Sequence, residues 1–316
     1  MLQYLIIQLD DTSTSFCYYE NEKGKPYLIP METLRKGIRF AMLENLMIQF
    51  VYPDYELPQE YIEVIESIDH SKIKPLENNA DVLVLNDWSF PFDEVGVPLV
   101  LRTSKEELFA RYEELRDVLP KTERLNVVIT DVETFMDEDF NTYKVVLAKL
   151  AEYVEKLYMG GKSPQLNLLT DRMILKEMNN CGAGDTTITL APNGKFYICP
   201  AFYYEDEGDF IGDISAPDFR CVEDLDIKNR QLYKLEFAPI CRHCDGYQCK
   251  RCIWLNRKTT LEVNTPSHEQ CVVAHLERNV SRVLLKKIRK HGIFLPEQED
   301  IKELDYLDPF DKRDEW

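Results

Sequence analysis

The stretch CRHCDGYQCKRC, residues 241–252, puts four of the chain's nine cysteines into twelve positions as two Cys-x-x-Cys pairs. Cys181, Cys199, Cys221 and Cys271 flank it, so eight of the nine lie between residues 181 and 271. Thiolates bind soft metals, and cysteines on tight turns can aim their sulfurs at one enclosed centre. The knot could hold one tetrahedral zinc ion, whereas eight ligands divide evenly between two centres of four. The count accepts zinc or iron-sulfur, since both take sets of four cysteines. His243, His268 and His275 could also ligate, although each is more ordinary as a surface residue or as a hydrogen-bond partner of a ligand.

Short elements must present these thiols. The segment TITLAPNGKFYICP (187–200) reads as a β-hairpin about Asn193-Gly194, a type I′ turn signal. Cys181 precedes its first strand, Cys199 ends its second, and FIGDI (210–214) follows before Cys221.

Up to about Thr170, β-rich runs alternate with helical patterns. Strands are expected at 2–9, 46–51, 82–85, 98–101, 125–130 and 165–169. Tyr143, Leu147, Leu150, Val154 and Leu157 follow helical spacing, with Gly160-Gly161 as the stop. Ser104-Lys-Glu-Glu107 reads as a capping box, and Pro58 opens a further helix. Strand and helix in alternation imply parallel strands with right-handed crossovers, in either an open doubly wound sheet or a barrel, and six strands suit a partial barrel. The fold class expected is therefore α/β. No G-x-G-x-x-G, G-x-x-x-x-G-K-[ST] or G-x-S-x-G signature occurs, so dinucleotide, P-loop and seryl hydrolase chemistry lack support.

The formal net charge of -18 argues against a sequence-independent grip on nucleic acid. No apolar run of membrane-spanning length and no secretory leader are present, which places the chain in the cytosol. Cysteines clustered there are more often metal ligands or redox groups than disulfides. A helix expected from Val272 to His291 carries Arg278, Arg282, Lys286, Lys287, Arg289 and Lys290, and the tail from Pro296 to Trp316 is acidic. These read as a solvated face and a solubilising tail, or as a basic surface for an acidic partner that the tail masks.

The order Cys181, Gly194, Cys199, then the knot, then Cys271 resembles the SPASM domain of radical-SAM peptide maturases. FIGDI resembles the short strand and turn between them. The resemblance implies one or two auxiliary [4Fe-4S] clusters and a partial (β/α)6 barrel as the partner domain. Its crossed ligation would give one cluster Cys241, Cys244, Cys249 and Cys271, and the other Cys181, Cys199 and Cys252. Cys221, or an open iron position, would complete the second. The knot's x4 and x2 gaps are each one residue shorter than is usual in that family.

A radical-SAM enzyme also carries C-x3-C-x2-C after its first strand. Here that loop reads LDDTSTSFCYY: with Cys17 as the third position, Asp10 and Thr14 fill the other two, and neither replaces a thiolate on iron. After the second strand VYPDYELP stands in place of a GGEP-type turn. The whole pattern is similar to the CXXX-repeat peptide maturases. That resemblance implies a role in maturing a small, ribosomally made Cys-rich precursor peptide, alone or with a partner maturation protein, and makes S-adenosylmethionine an unexpected cofactor. The alternatives are a zinc-stapled, peptide-binding adaptor and a radical enzyme completed by a partner. The expected domains are a degenerate barrel over 1–175, a SPASM-like domain over 176–275, and a C-terminal helix and acidic tail over 276–316.

Several single residues keep two readings. Cys17 reads as a buried small side chain or a vestigial ligand. Trp88, Phe90 and Phe92 read as loop packing rather than a substrate platform. Asp10, Asp11, Asp54 and Glu56 follow strands where barrel sites form, but read better as turn formers and caps.

Overall fold

The computed structural model describes residues 1–75, 79–90, 96–304 and 306–309. In chain order the regular elements begin β1 (Tyr4–Gln8), α1 (Met31–Leu43), β2 (Met47–Val51), α2 (Gln59–Ile65), β3 (Ser71–Pro75) and β4 (Val82–Leu85). They continue β5 (Leu99–Thr103), α3 (Lys105–Arg111), α4 (Leu115–Val118), β6 (Arg124–Ile129), α5 (Asp137–Met159), β7 (Gln165–Leu166) and α6 (Asp171–Ile174). The last are β8 (Thr187–Leu190), β9 (Lys195–Tyr197), α7 (Pro200–Glu205), β10 (Gly212–Asp213), α8 (Ile253–Thr260) and α9 (His268–Arg289). Two compact units result, one from residues 1–84 and 182–237, the other from 85–181 and 238–316. Among the described residues no helix is long and apolar enough to cross a membrane.

The first unit is built on the strand order β10-β9-β8-β1-β2-β3-β4. β1 pairs in parallel with β2 on one side and β8 on the other, with Leu5 opposite both Ile48 and Ile188. A parallel strand covered on both faces must be apolar almost throughout, and in YLIIQ every residue after Tyr4 is buried. α1 returns the chain to β2 and buries Leu34, Gly37, Ile38, Phe40 and Ala41. β8 and β9 form the expected hairpin, and β10 extends it antiparallel.

The hairpin turn is not type I′. Gly194 alone takes the left-handed conformation, at φ +80°, while Asn193 is not among the residues of positive φ. Pro192 has its φ fixed near the type I value, so the turn follows Pro192 and the glycine closes it as a bulge. β3 (SKIKP) was not expected from the sequence. Its one large apolar residue is Ile73, and Lys72 is buried through an ion pair with Glu66, so no alternating pattern announces it.

The second unit carries β5-β6-β7, all parallel, with Leu99 opposite Leu125 and Leu125 opposite Leu166. Expected as 165–169, the last strand stops at Leu166 because the Asn167 side chain takes over the pairing. Its Oδ1 accepts from Val127 N at 2.8 Å and its Nδ2 donates to Val127 O at 2.9 Å. Helix α5 buries Tyr143, Leu147, Leu150 and Val154, while Leu157 is only half-buried, and Gly160 then Gly161 at φ +82° end it. Ser104 caps α3 by accepting from Glu107 N at 3.2 Å. α9 starts at His268 rather than Val272, because Ser267 accepts from Gln270 N and caps the helix one turn earlier.

Candidate metal centre

Within the second unit, tight turns bring four thiols of the knot region to one place. Cys241 opens a single 3-10 turn, and Cys244 N donates back to Cys241 O at 3.0 Å. Gly246 N then points at Cys244 Sγ, 3.3 Å away, and Cys249 N bonds Gly246 O at 3.0 Å. Arg251, at φ +45°, turns the chain so that Cys252 precedes the first residue of α8. Cys271 sits in the first turn of α9, with its N–H on Ser267 O at 3.2 Å. Cys241, Cys244, Cys249 and Cys271 line one cavity of about 90 Å³, which His275 and Tyr306 also border.

A second strand of chain braces the knot from outside. Asn179 N donates to Tyr247 O at 2.9 Å and Cys181 N to Lys250 O at 2.7 Å, so Cys181 runs beside the segment that ends in Cys252. The buried Arg251 side chain donates from Nε to Asn180 Oδ1 at 2.6 Å. Asp245, inside the knot, accepts both Nε and Nη2 of the fully buried Arg278, at 2.8 and 2.7 Å, and Nη2 of Arg172 at 3.1 Å. Burial works to raise the Asp245 pKa, but the hydrogen bonds and charges of Arg278 and Arg172 outweigh it and hold the carboxyl below its usual range.

Burial pushes Cys241 up to about 11 and Cys249 up to about 12, and drives Cys244 and Cys271 upward as well. Neighbouring cysteines add to the shift, because Cys271 feels Cys249, Cys241 and Cys244 as like charges. Four thiolates sharing this space would need cations beside them to offset that penalty. Among the described residues no three His, Cys, Asp or Glu side chains converge on a point suited to a single ion.

His275 borders that space with its Nε2 3.3 Å from Cys244 Sγ. Its Nδ1 faces the Leu307 carbonyl, which can only accept, so Nδ1 is the donor. Burial depresses the pKa of this imidazole. His268 instead pairs with Asp308 at 2.7 Å, and His243 also lines the cavity.

The remaining candidates lie elsewhere. Cys199 and Cys221 belong to the first unit: Cys199 precedes α7, and Cys221 caps the turn at 222–224 beside Glu223 and Asp224, whose acidity disfavours a thiolate. Cys17 is half-buried. In the loop after β1, Asp10 Oδ1 accepts from Thr12 N and Oγ1 at 2.7 and 2.6 Å, and Oδ2 accepts from Tyr55 OH at 2.8 Å. Asp10 is thus a turn former, as expected, and Thr14 N is tied to Tyr52 O at 2.9 Å. Asp11 accepts from Tyr203, and Asp54 and Glu56 are exposed. In the second unit Trp88 is core, donating from Nε1 to Thr103 Oγ1 at 3.1 Å with Phe90 edge-on at 5.7 Å. Phe92 lies outside the described residues.

The sequence reading missed one buried group. Glu277 accepts from Tyr143 OH at 2.7 Å and from Gln248 Nε2 at 3.3 Å, and burial pushes its pKa up to about 7. Gln248 belongs to the knot and also donates to Ala274 O at 2.6 Å, so these bonds tie the cysteine loop to α9. The available signal was Arg278 and Ser281 falling in step with Ala274 and Leu285 on the helix's apolar stripe.

No protein-family model matches this sequence, and no curated protein is significantly similar to it. Solved structures do match in fold. Histidine-tagged anSMEcpe with bound AdoMet superposes with a TM-score of 0.62 at 12% identity, covering 93% of this chain and 97% of that one. Native anSMEcpe with bound AdoMet and the Cp18Cys peptide, and the same protein with the Kp18Cys peptide, each give 0.58 at 12% identity, over 92% of this chain and 99% of theirs. The fold is therefore α/β, a partial (β/α)6 barrel with a SPASM-like region and a C-terminal helix, resembling that of a radical-SAM peptide maturase.

Proposed function

We propose that this chain is an iron-sulfur protein acting in the maturation of a ribosomally made, Cys-rich peptide. The observation that carries the reading is the cavity bordered by Cys241, Cys244, Cys249 and Cys271, the same four residues that the SPASM resemblance groups into one cluster. In this reading their thiolates hold a [4Fe-4S] cluster, which when bound supplies one-electron transfer or an anchoring point for a substrate thiol. The residues around it have separate tasks. Gly246 N donates to Cys244 Sγ, and Arg278 and Arg172 fix Asp245 and hence the turn between Cys244 and Cys249.

The structural neighbours bind peptides, which supports a peptide as the partner of this chain. The loop after β1 presents Asp10 and Thr14 where a radical-SAM enzyme presents thiolates, so cleavage of S-adenosylmethionine is not assigned to it. A zinc staple is the second reading. In it the same four sulfurs would each stand about 2.3 Å from one ion.

The test is anaerobic reconstitution with iron and sulfide, followed by titration with a synthetic peptide carrying cysteines spaced by three residues. Visible absorption that changes on peptide addition, and no change with the Cys-to-Ser peptide, is expected. Tight binding that is indifferent to iron would favour the zinc-stapled adaptor.

A further inference from the structure

The basic face of α9 already holds an acidic peptide, and that peptide is the chain's own tail. Past Arg289 the described residues form no helix or strand. Arg282 makes a two-pronged pair with Glu303, at 3.1 and 3.0 Å, and Arg289 Nη1 meets Asp300 at 2.5 Å. His268 meets Asp308 at 2.7 Å. The same helix also grips the tail's backbone. Arg289 donates to the carbonyls of Leu295 and Gln298 at 2.8 and 2.7 Å, Arg278 to that of Lys302, and His275 to that of Leu307.

Backbone carbonyls are common to every peptide, whereas the three carboxylate contacts select an acidic one. The path ends at the cysteines, with Tyr306 edge-on to His275 at 5.7 Å and bordering the four-thiol cavity. The hold is slight. Glu303 and Asp300 keep 70% and 72% of their side chains exposed, a setting in which ion pairs contribute little. Among the described residues Ile301 is the one large apolar tail residue in the core, and a cavity of about 420 Å³ lies between residues 297–302 and the Arg172–Lys176 surface.

We infer that this face of α9 is a binding site for an extended acidic peptide segment, which tail residues 297–304 and 306–309 occupy as an exchangeable stand-in. Naming the precursor peptide as the incoming partner rests on the function proposed above. The site itself does not.

The test uses a fluorescent synthetic peptide of residues 297–309 as probe, with binding read by anisotropy. A chain ending at Pro296 should bind it at least about tenfold more tightly than the full chain, and affinity should fall as salt rises. Arg282→Glu in the shortened chain should weaken binding by about tenfold or more. Equal affinity for the two chains, or no binding to the shortened one, overturns the inference. Should shortening prevent folding, the full chain with Asp300→Lys and Glu303→Lys loosens the tail by removing two of its three carboxylate contacts and leaves α9 unaltered. It should then bind the wild-type probe better than the unaltered chain does, and no gain overturns the inference. Adding an acidic Cys-rich precursor separates the two claims. Displacement of the probe supports both, and probe binding that the precursor cannot compete keeps the site and removes the precursor as its partner.

Discussion

Tyr143 in α5 donates its phenolic hydrogen to Glu277 in α9 across 2.7 Å, inside the core of the second unit. Burial raises the Glu277 pKa from 4.5 to about 7 against this bond and that from Gln248. The native state therefore holds a proton that the unfolded chain gives up between those values. This contribution is fully present below pH 4.5, falls as pH rises, and is lost above about 7, a swing of about 3 kcal/mol. Denaturant unfolding of the wild type and Glu277→Gln at about pH 5.5 and 8 measures it by difference. The wild type should lose stability relative to the variant on going to the higher pH, and parallel profiles would refute the assignment.

Asp245 joins the cysteine knot to two arginines, one of them fully buried. Asp245→Asn should cost about 3–5 kcal/mol, because it leaves the Arg278 charge without its counter-ion. Urea unfolding checks this, and a loss below about 1 kcal/mol would mean that Asn279 and the Lys302 carbonyl already satisfy Arg278.

Gly37 lies in mid-helix, where alanine is ordinarily preferred by about 1 kcal/mol. A Cβ there would stand 2.4 Å from Leu190 Cδ2 and 3.4 Å from Ile7 Cδ1. Gly37→Ala should therefore destabilise, by about 1–3 kcal/mol. Gly96→Ala, which meets nothing within 4 Å, serves as the control and should be close to neutral. A stabilised Gly37→Ala protein would show that α1 shifts freely over β8.

Much of this architecture was legible in the residues. β1, β2, β4, β5 and β6 are apolar runs between turn signals, and α5 carries its spacing and its glycine stop on the surface of the sequence. β3 was not, since burial of Lys72 depends on Glu66 and leaves no hydrophobic signature. The hairpin was readable from Asn193-Gly194, but its turn type depended on Pro192, one residue earlier. At the candidate centre, cysteine spacing singled out the knot, and the SPASM resemblance joined Cys271 to three of its four cysteines. The bracing by Asn179 and Cys181, the Asp245–Arg278 pair and the grip on the tail arise from tertiary contacts that no local pattern encodes.

The central claim is that Cys241, Cys244, Cys249 and Cys271 hold an iron-sulfur cluster. Iron, sulfide and zinc analysis of anaerobically purified, iron-57-labelled protein, with Mössbauer spectroscopy, tests it most directly. The account predicts at least about four irons and four sulfides per chain with the [4Fe-4S] signature, and loss of one such set in Cys249→Ala. Stoichiometric zinc without sulfide, or iron retained in full by Cys249→Ala, would contradict it.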